Sequence, residues 1–240
     1  DGGQAIEDAA FVIEDGRFTQ VGTRSDLDVP DSAGRVDLTG KTVIPAFINA
    51  HMHLSVMREE RIEQLRQNAY YGAAVVVSLG SDSGDVPFQV RDEILPSAAR
   101  SLTAGRGITR PEPGRAEVPY WIDTEEEARE AVRELAERGG DIVKIWVDDR
   151  GGQYEKLTPQ LYGTIIEEAH RYDLLVTAHI FNLEDAKGLL RAGVDALAHG
   201  VRDQDVDEEF LTLIEERPDL VYVPNLPDPG VARDLTWLSG

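Results

Sequence analysis

Four histidines and one lysine carry most of the chemistry this sequence can offer. His51 and His53 close the run T-V-I-P-A-F-I-N-A-H-M-H-L from Thr42 to Leu54, where an apolar strand ends in two imidazoles one residue apart. Alternate side chains of a strand share a face, so both rings can reach one metal ion. His179 closes the strand-like run L-L-V-T-A-H-I, and His199 closes V-D-A-L-A-H. Lys144 lies inside D-I-V-K-I-W-V. Alternation there sends Val143, Ile145 and Val147 toward covering helices, leaving Ile142, Lys144 and Trp146 on the opposite, inward face. A bare ammonium in that position is costly to bury. Beside metal ions the expected escape is deprotonation and reaction with carbon dioxide, giving a carbamate whose two oxygens can bridge two cations. The plainer alternative is a lysine whose tip reaches solvent or an acidic neighbour such as Asp148. His170, in E-E-A-H-R-Y, reads as a surface or helix-end histidine.

Composition narrows what these residues can do. The 240-residue chain is 41% hydrophobic and 29% charged, an ordinary globular balance, and no run of 18 apolar residues offers a transmembrane helix. Acidic residues outnumber basic ones 45 to 24, and the formal charge of −21 repels phosphate backbones and anionic lipid. Neither a nucleic-acid partner nor a membrane partner is expected. With no cysteine, disulfides, thiolate metal sites and thiol nucleophiles are excluded. Any metal must sit on nitrogen and oxygen. The only lysines are Lys41, Lys144, Lys156 and Lys187, which makes one on an inward strand face conspicuous.

The elements that must position the five residues follow in order. Between Ala10 and Leu38 three short strand-like segments appear, A-F-V-I-E, R-F-T-Q-V and R-V-D-L, and Asp15-Gly16 is a two-residue hairpin signal between the first two. From Met57 onward strands alternate with helices. Helices are expected over Arg58–Tyr71 and Pro87–Arg100, from the capping box Thr124–Glu127 to Gly139-Gly140, from the cap Thr158-Pro159, from Asn182 to Ala192, and from Asp205 to Pro218. Strands are expected at Ala73–Leu79, Ser101–Arg106, Asp141–Val147, Leu174–Ile180, Val194–His199 and Leu220–Val223. Gly107–Trp121, rich in Pro and Gly, reads as a long loop. The charged helix from Thr124 to Arg138 reads as a solvated outer helix.

Counting from the His-Met-His run, seven strands are expected, six of them followed by helical segments, as parallel βαβ units require. The fold class is therefore α/β, a (β/α)₈ TIM-type barrel incomplete at its C-terminus. Residues 1–41 form part of a small N-terminal β domain, and residues 42–240 hold about seven barrel strands. A seventh helix would begin around Val231 to Leu238. The chain is thus expected to be a fragment, its eighth strand lying in a further C-terminal segment. In such a barrel His51, His53, His179 and His199 all fall at the C-terminal strand ends, the rim where barrel enzymes build their sites.

This arrangement resembles the amidohydrolase superfamily of metal-dependent hydrolases, and within it the branch of imidazolonepropionases and prolidase-like dipeptidases. The matching residues are V-I-P-A-F-I-N-A-H-M-H-L, Lys144 in V-K-I-W, His179 in V-T-A-H and His199 in A-L-A-H-G. The resemblance implies two divalent metal ions, zinc foremost, with His51 and His53 on the more buried one and His179 and His199 on the more exposed one. Carboxylated Lys144 would bridge them. It implies a metal-dependent hydrolase that uses a metal-activated hydroxide to cleave an amide, peptide or cyclic amide C–N bond in a small-molecule substrate. The family's catalytic aspartate ends the eighth strand; Asp203, Asp205, Asp228 and Asp234 all precede that place, so none takes the role and the catalytic residue is unknown. Ala46 and Asn49 stand where relatives often have Gly and Asp; neither is a ligand position.

Arg150 and Arg202 follow the fourth and sixth strands and are candidates to clamp a substrate carboxylate, with Tyr120, Trp121 and Tyr154 as candidate pocket walls. A metallo-β-lactamase-type site is excluded because His53 is followed by Leu54, Ser55 and Val56 rather than x-Asp-His. Deamination by a mononuclear relative is disfavoured by Lys144. A different class of function, a non-catalytic metal-binding or split-barrel scaffold protein, is motivated by the missing aspartate. The expected location is cytoplasmic, with secretion open because the chain begins at Asp1; a homo-oligomer or a completing C-terminal segment is the expected partner.

Overall fold

A computed structural model describes residues 4–225. The chain divides into two compact units, Asp1–Pro45 and Ala46–Gly240. In the first, β1 (Ala9–Glu14) and β2 (Arg17–Thr23) pair antiparallel through Asp15-Gly16, whose φ values of 50° and 75° are the left-handed pair a tight hairpin needs. Arg35–Leu38, expected as a strand, has none: Val36 is 82% exposed and the segment finds no ladder partner among the described residues.

The second unit alternates strands and helices. In order it contains β3 (Phe47–Met52), α1 (Arg58–Tyr70), β4 (Ala73–Ser78), α2 (Val86–Arg91), β5 (Arg100–Thr103), β6 (Ile108–Thr109), β7 (Tyr120–Trp121), α3 (Glu125–Glu137) and β8 (Ile142–Val147). It continues with α4 (Pro159–Arg171), β9 (Leu175–Ile180), α5 (Leu183–Ala192), β10 (Ala196–Leu197), α6 (Glu208–Glu215) and β11 (Val221–Tyr222). The strands form two parallel sheets, β3-β4-β5 and β11-β10-β9-β8-β6-β7. Asp141 stitches the two together: its backbone N–H donates to the Thr103 carbonyl at 2.9 Å, and its carboxylate accepts from the Thr103 N–H at 2.8 Å.

Local chemistry explains most boundaries. Thr124 and Glu127 form the reciprocal capping box that starts α3, and Thr158 with Pro159 starts α4. Gly193, at φ 92°, supplies the left-handed residue that ends α5. Asn182 occupies the cap position of α5 without capping it; the Asp203 carboxylate accepts the free Leu183 N–H instead, at 2.9 Å.

Five expectations need correction. The helix expected over Pro87–Arg100 spans only Val86–Arg91; Pro96, which lacks an N–H and restricts Leu95 before it, bars it from reaching Arg100. The expected loop Gly107–Trp121 contains β6 and β7, which pair parallel with each other. Between Val194 and His199 only Ala196–Leu197 is regular strand, bonded to β9 on one side and β11 on the other. The last described helix is capped by Asp207, whose carboxylate accepts the Phe210 N–H at 3.0 Å, not by Asp205. The strand expected from Thr42 begins only at Phe47. Asp228, Asp234 and the helix expected at 231–238 lie outside the described residues.

Three apolar clusters hold the unit together. The largest lies between β6, β8, β9 and β10 and helices α3 to α6; Val143, Ile145 and Val147 are fully buried in it, as alternation along β8 requires. A second joins α1 and α2 to β4 through Leu65, Val76 and Val90. The third is small: Leu79, Ala104 and Ala198, with Val77 and Ile142 against them, bring side chains of both sheets together. Among the described residues no helix is long and apolar enough to cross a membrane.

A polar knot lies beside the second cluster. Arg61 and Asp82, at 0% and 1% exposure, form a two-pronged ion pair at 2.9 and 3.0 Å. Ser78 and Thr103 also donate to Asp82, and Arg61 reaches Ser101. The knot thereby ties α1 to the C-terminal ends of β4 and β5. Replacing one member strands the other charge in a dry interior, a loss of about 3–5 kcal/mol. Asp82→Asn is therefore expected to lower the urea denaturation midpoint sharply, whereas Glu93→Gln, which breaks the exposed 2.6 Å pair with Arg58, leaves it unchanged.

Candidate functional site

His51 lies on β3, His53 just beyond it, Lys144 at the middle of β8, His179 on β9 and His199 two residues past β10. The parallel sheets bring the four rings together. Ring centroids are 5.3 Å apart for His51 and His53, 4.7 Å for His51 and His199, and 4.5 Å for His179 and His199. His170 stands apart on α4, paired with Asp195 at 2.9 Å.

Lys144 is wholly buried, and its Nζ has no hydrogen-bond partner. The alternative of a tip reaching solvent or Asp148 is thereby overturned: Asp148 spends its carboxylate on Arg150 and His179. Burial, helped by the charge of Arg150, pulls the amine down to about 7. Trp146 shields it, with Nζ 5.5 Å from the ring centroid. The indole fits only because Gly80 and Gly107 face it; a Cβ on Gly107 would come within 2.2 Å of the ring.

The surroundings keep the imidazoles neutral. Burial lowers His51 and His179 to about 4, and lowers His53 and His199 as well. The Ala198 carbonyl accepts from Nδ1 of His51 at 3.1 Å, so that ring carries its proton on Nδ1 and leaves Nε2 bare. Nδ1 of His53 is 3.2 Å from the Ser81 hydroxyl, and the Asn225 amide donates to Nδ1 of His199 at 2.9 Å. Among the described residues, no group of three or more His, Asp or Glu is placed to hold a metal ion as it stands. The ring nitrogens would have to turn toward a common point. The orphaned amine of Lys144 and the neutral, half-bare imidazoles are nevertheless the donor chemistry that a nitrogen- and oxygen-liganded cation takes.

The candidate substrate residues fare differently. Arg150 reaches Nε2 of His179 at 3.1 Å, but its guanidinium is already engaged by Asp148 at 2.6 Å and Glu112 at 3.1 Å. Arg202 donates to the Ile180 carbonyl and lies over the Phe181 ring. Tyr120 turns its hydroxyl to Glu134 of α3; burial and that hydrogen bond push it up to about 12. The Trp121 indole donates to the Ala116 carbonyl. Tyr154 donates to the Pro113 carbonyl and lines a cavity of about 670 Å³ with Arg110, Asp149 and Lys156, a cavity whose walls include none of the four histidines.

Sequence reasoning missed Asp148 as a partner of His179, and missed Glu112 and Asn225. Asp148 directly follows β8 and Asn225 closely follows β11, the strand-end positions where such residues were to be sought. Glu112 sits in a Pro-rich loop and gives no comparable signal.

No family model matches the chain. It is 29% identical over 208 residues to an uncharacterized protein of Mycobacterium tuberculosis, covering 80% of this chain and 54% of that protein. It is 25% identical over 214 residues to an imidazolonepropionase of Micrococcus luteus, covering 83% of this chain and 51% of the enzyme. A solved Xaa-Pro dipeptidase with methionine bound in its active site matches with a TM-score of 0.71 at 26% identity, over 90% of this chain and 61% of that one. The chain spans about half the length of the curated relatives it matches.

The neutral histidines set a pH dependence. At pH values between the ordinary 6.5 and the folded value of about 4, the unfolded chain takes up protons that folded His51 and His179 refuse. Stability therefore falls as pH drops through that window. Asp148 acts in the same direction at lower pH: burial raises its pKa, but hydrogen bonds from His179 and Arg150 outweigh that and hold the carboxyl well below the usual range. The denaturation midpoint of chelator-treated protein is expected to fall steadily from pH 7 to 4.5, and His179→Asn should flatten part of that slope.

Proposed function

We propose that this member of the amidohydrolase superfamily is a metal-dependent hydrolase that cleaves an amide, peptide or cyclic amide C–N bond in a small substrate. The observation that carries the reading is the buried, unpartnered Lys144 amine, on the same parallel-sheet scaffold as four clustered neutral histidines. The two sheets read as staves of one (β/α)₈ barrel, since the Leu79, Ala104 and Ala198 cluster gathers their inner faces. The similarity to an imidazolonepropionase and to a Xaa-Pro dipeptidase, named for a cyclic amide and a peptide respectively, supports the bond type.

His51 and His53 would hold one divalent cation, His179 and His199 a second, and Lys144, as its carbamate, would bridge the pair. Zinc is the foremost candidate for a set of imidazoles and oxygens. When bound, such ions supply Lewis-acid activation of a water and of a substrate carbonyl. Lys144 prepares the bridge. Desolvation leaves a large neutral fraction of the amine near pH 7, and a neutral amine adds to carbon dioxide with loss of one proton. Trp146, wedged against Gly80 and Gly107, keeps bulk water from that nitrogen. Ala198 holds His51 in the tautomer whose Nε2 is free to ligate. With Asp148 and Glu112 neutralising it, Arg150 is a poor clamp for a substrate carboxylate, and specificity falls to other groups around the rim.

Elemental analysis of protein purified without chelator is expected to find close to two transition-metal ions per chain, and His51→Ala with His53→Ala should remove metal and hydrolysis together. After supply of ¹³C-bicarbonate, a carbamate carbon resonance should appear and be absent from Lys144→Met. Hydrolysis is to be sought with dipeptides, N-acyl amino acids and lactams. Protein that takes up no metal overturns the reading; metal without turnover of any of these substrates favours the non-catalytic scaffold.

A further inference from the structure

Nε2 of His179 lies 2.9 Å from Oδ2 of Asp148 and 3.1 Å from a guanidinium nitrogen of Arg150. The two neighbours make opposite demands. A carboxylate only accepts and a guanidinium only donates, and Nε2 of a neutral ring cannot serve both. The surrounding contacts decide between them. The same Arg150 nitrogen already donates to Oδ2 of Asp148 at 2.6 Å, the Arg150 Nε donates to Glu112 at 3.1 Å, and the Arg150 backbone N–H donates to Oδ1 of Asp148 at 2.9 Å. A bare Nε2 would set its lone pair against the carboxylate at 2.9 Å; a protonated Nε2 completes the shell of Asp148.

We propose that Asp148 is the positioning residue of His179: it accepts a hydrogen bond from the Nε2–H, fixes the ring in that tautomer and leaves Nδ1 as the free nitrogen that ligates. The proposal rests on the metal reading above. Support comes from how heavily Asp148 is itself held. Arg150 adopts φ 57°, a left-handed conformation costly for a side-chain-bearing residue, and in doing so brings both its backbone N–H and its guanidinium onto one carboxylate. Glu112, 1% exposed, grips the other side of Arg150 and is itself paired with Arg115. The sequence Arg115, Glu112, Arg150, Asp148, His179 is thus a continuous charge-assisted chain from the loop between β6 and β7 to the imidazole. A carboxylate behind a ligating imidazole fixes the ring and raises its basicity, and removing one typically costs 10- to 100-fold in metal affinity.

The experiment is long-range ¹H–¹⁵N correlation on chelator-treated, ¹⁵N-histidine-labelled protein, with His179 assigned by its loss in His179→Asn, followed by zinc titration. Wild-type His179 is expected to be protonated on Nε2 and bare on Nδ1. Asp148→Ala should lose that preference and bind zinc about 10- to 100-fold more weakly. Asp148→Asn, which keeps a carbonyl acceptor, should retain the tautomer and recover most of the affinity, a rescue that a merely structural role would not produce. Zinc binding by wild type with His179 protonated on Nδ1 overturns the proposal alone, as does unchanged affinity in Asp148→Ala. Correct tautomer without zinc binding overturns the metal reading instead. The wild-type tautomer answers even if a variant fails to fold.

Discussion

Burying a primary amine without a partner is one of the more expensive things a folded chain can do, and the second unit is arranged around that cost at Lys144. Alternation along β8 puts Lys144 opposite the side chains that pack against helices, so the strand cannot bury Val143, Ile145 and Val147 without also turning the lysine inward. The amine is left with two ways to lower its energy, losing its proton or acquiring a negative group. Both lead toward the carbamate proposed for it.

Other features make sense as supports for that centre. Gly80 and Gly107 leave room for the Trp146 ring and so exclude water from the amine. The Arg61–Asp82 knot fixes the C-terminal ends of β4 and β5, and Asp141 stitches β5 to the second sheet. Each places charge or polarity inside the fold, and each pairs its charge with a hydrogen-bonded partner where Lys144 has none. The contrast separates paired structural charge from Lys144, whose single side-chain polar atom has no partner at all.

Much of the fold was legible because periodicity and caps are local. The hairpin at Asp15-Gly16, the capping box at Thr124, the proline-opened α4 and the glycine-closed α5 all follow from a few neighbouring residues. The errors arose where the deciding partner was distant or the local signal was overruled. Ile108 and Tyr120 become strand because they pair with each other, and Ile108 with Ile145 of β8, which a Pro- and Gly-rich composition hides. Arg35–Leu38 has the composition of a strand and no partner among the described residues. Pro96 is a local signal that a helix from Pro87 cannot run to Arg100.

For the site, the chain alone singled out the residues that the fold gathers: two imidazoles on one strand face, an inward lysine, and two further histidines at strand ends. Strand alternation and βαβ order suffice for that, since they fix faces and ends without coordinates. Only the tertiary structure decided how those groups are held. The proton of His51 is set by the Ala198 carbonyl, 147 positions away in sequence, and the partner of His179 by Asp148, 31 positions away. Hydrogen-bond geometry is fixed to tenths of an ångström, and no pattern of residue types specifies which of two neighbouring charges an imidazole will face.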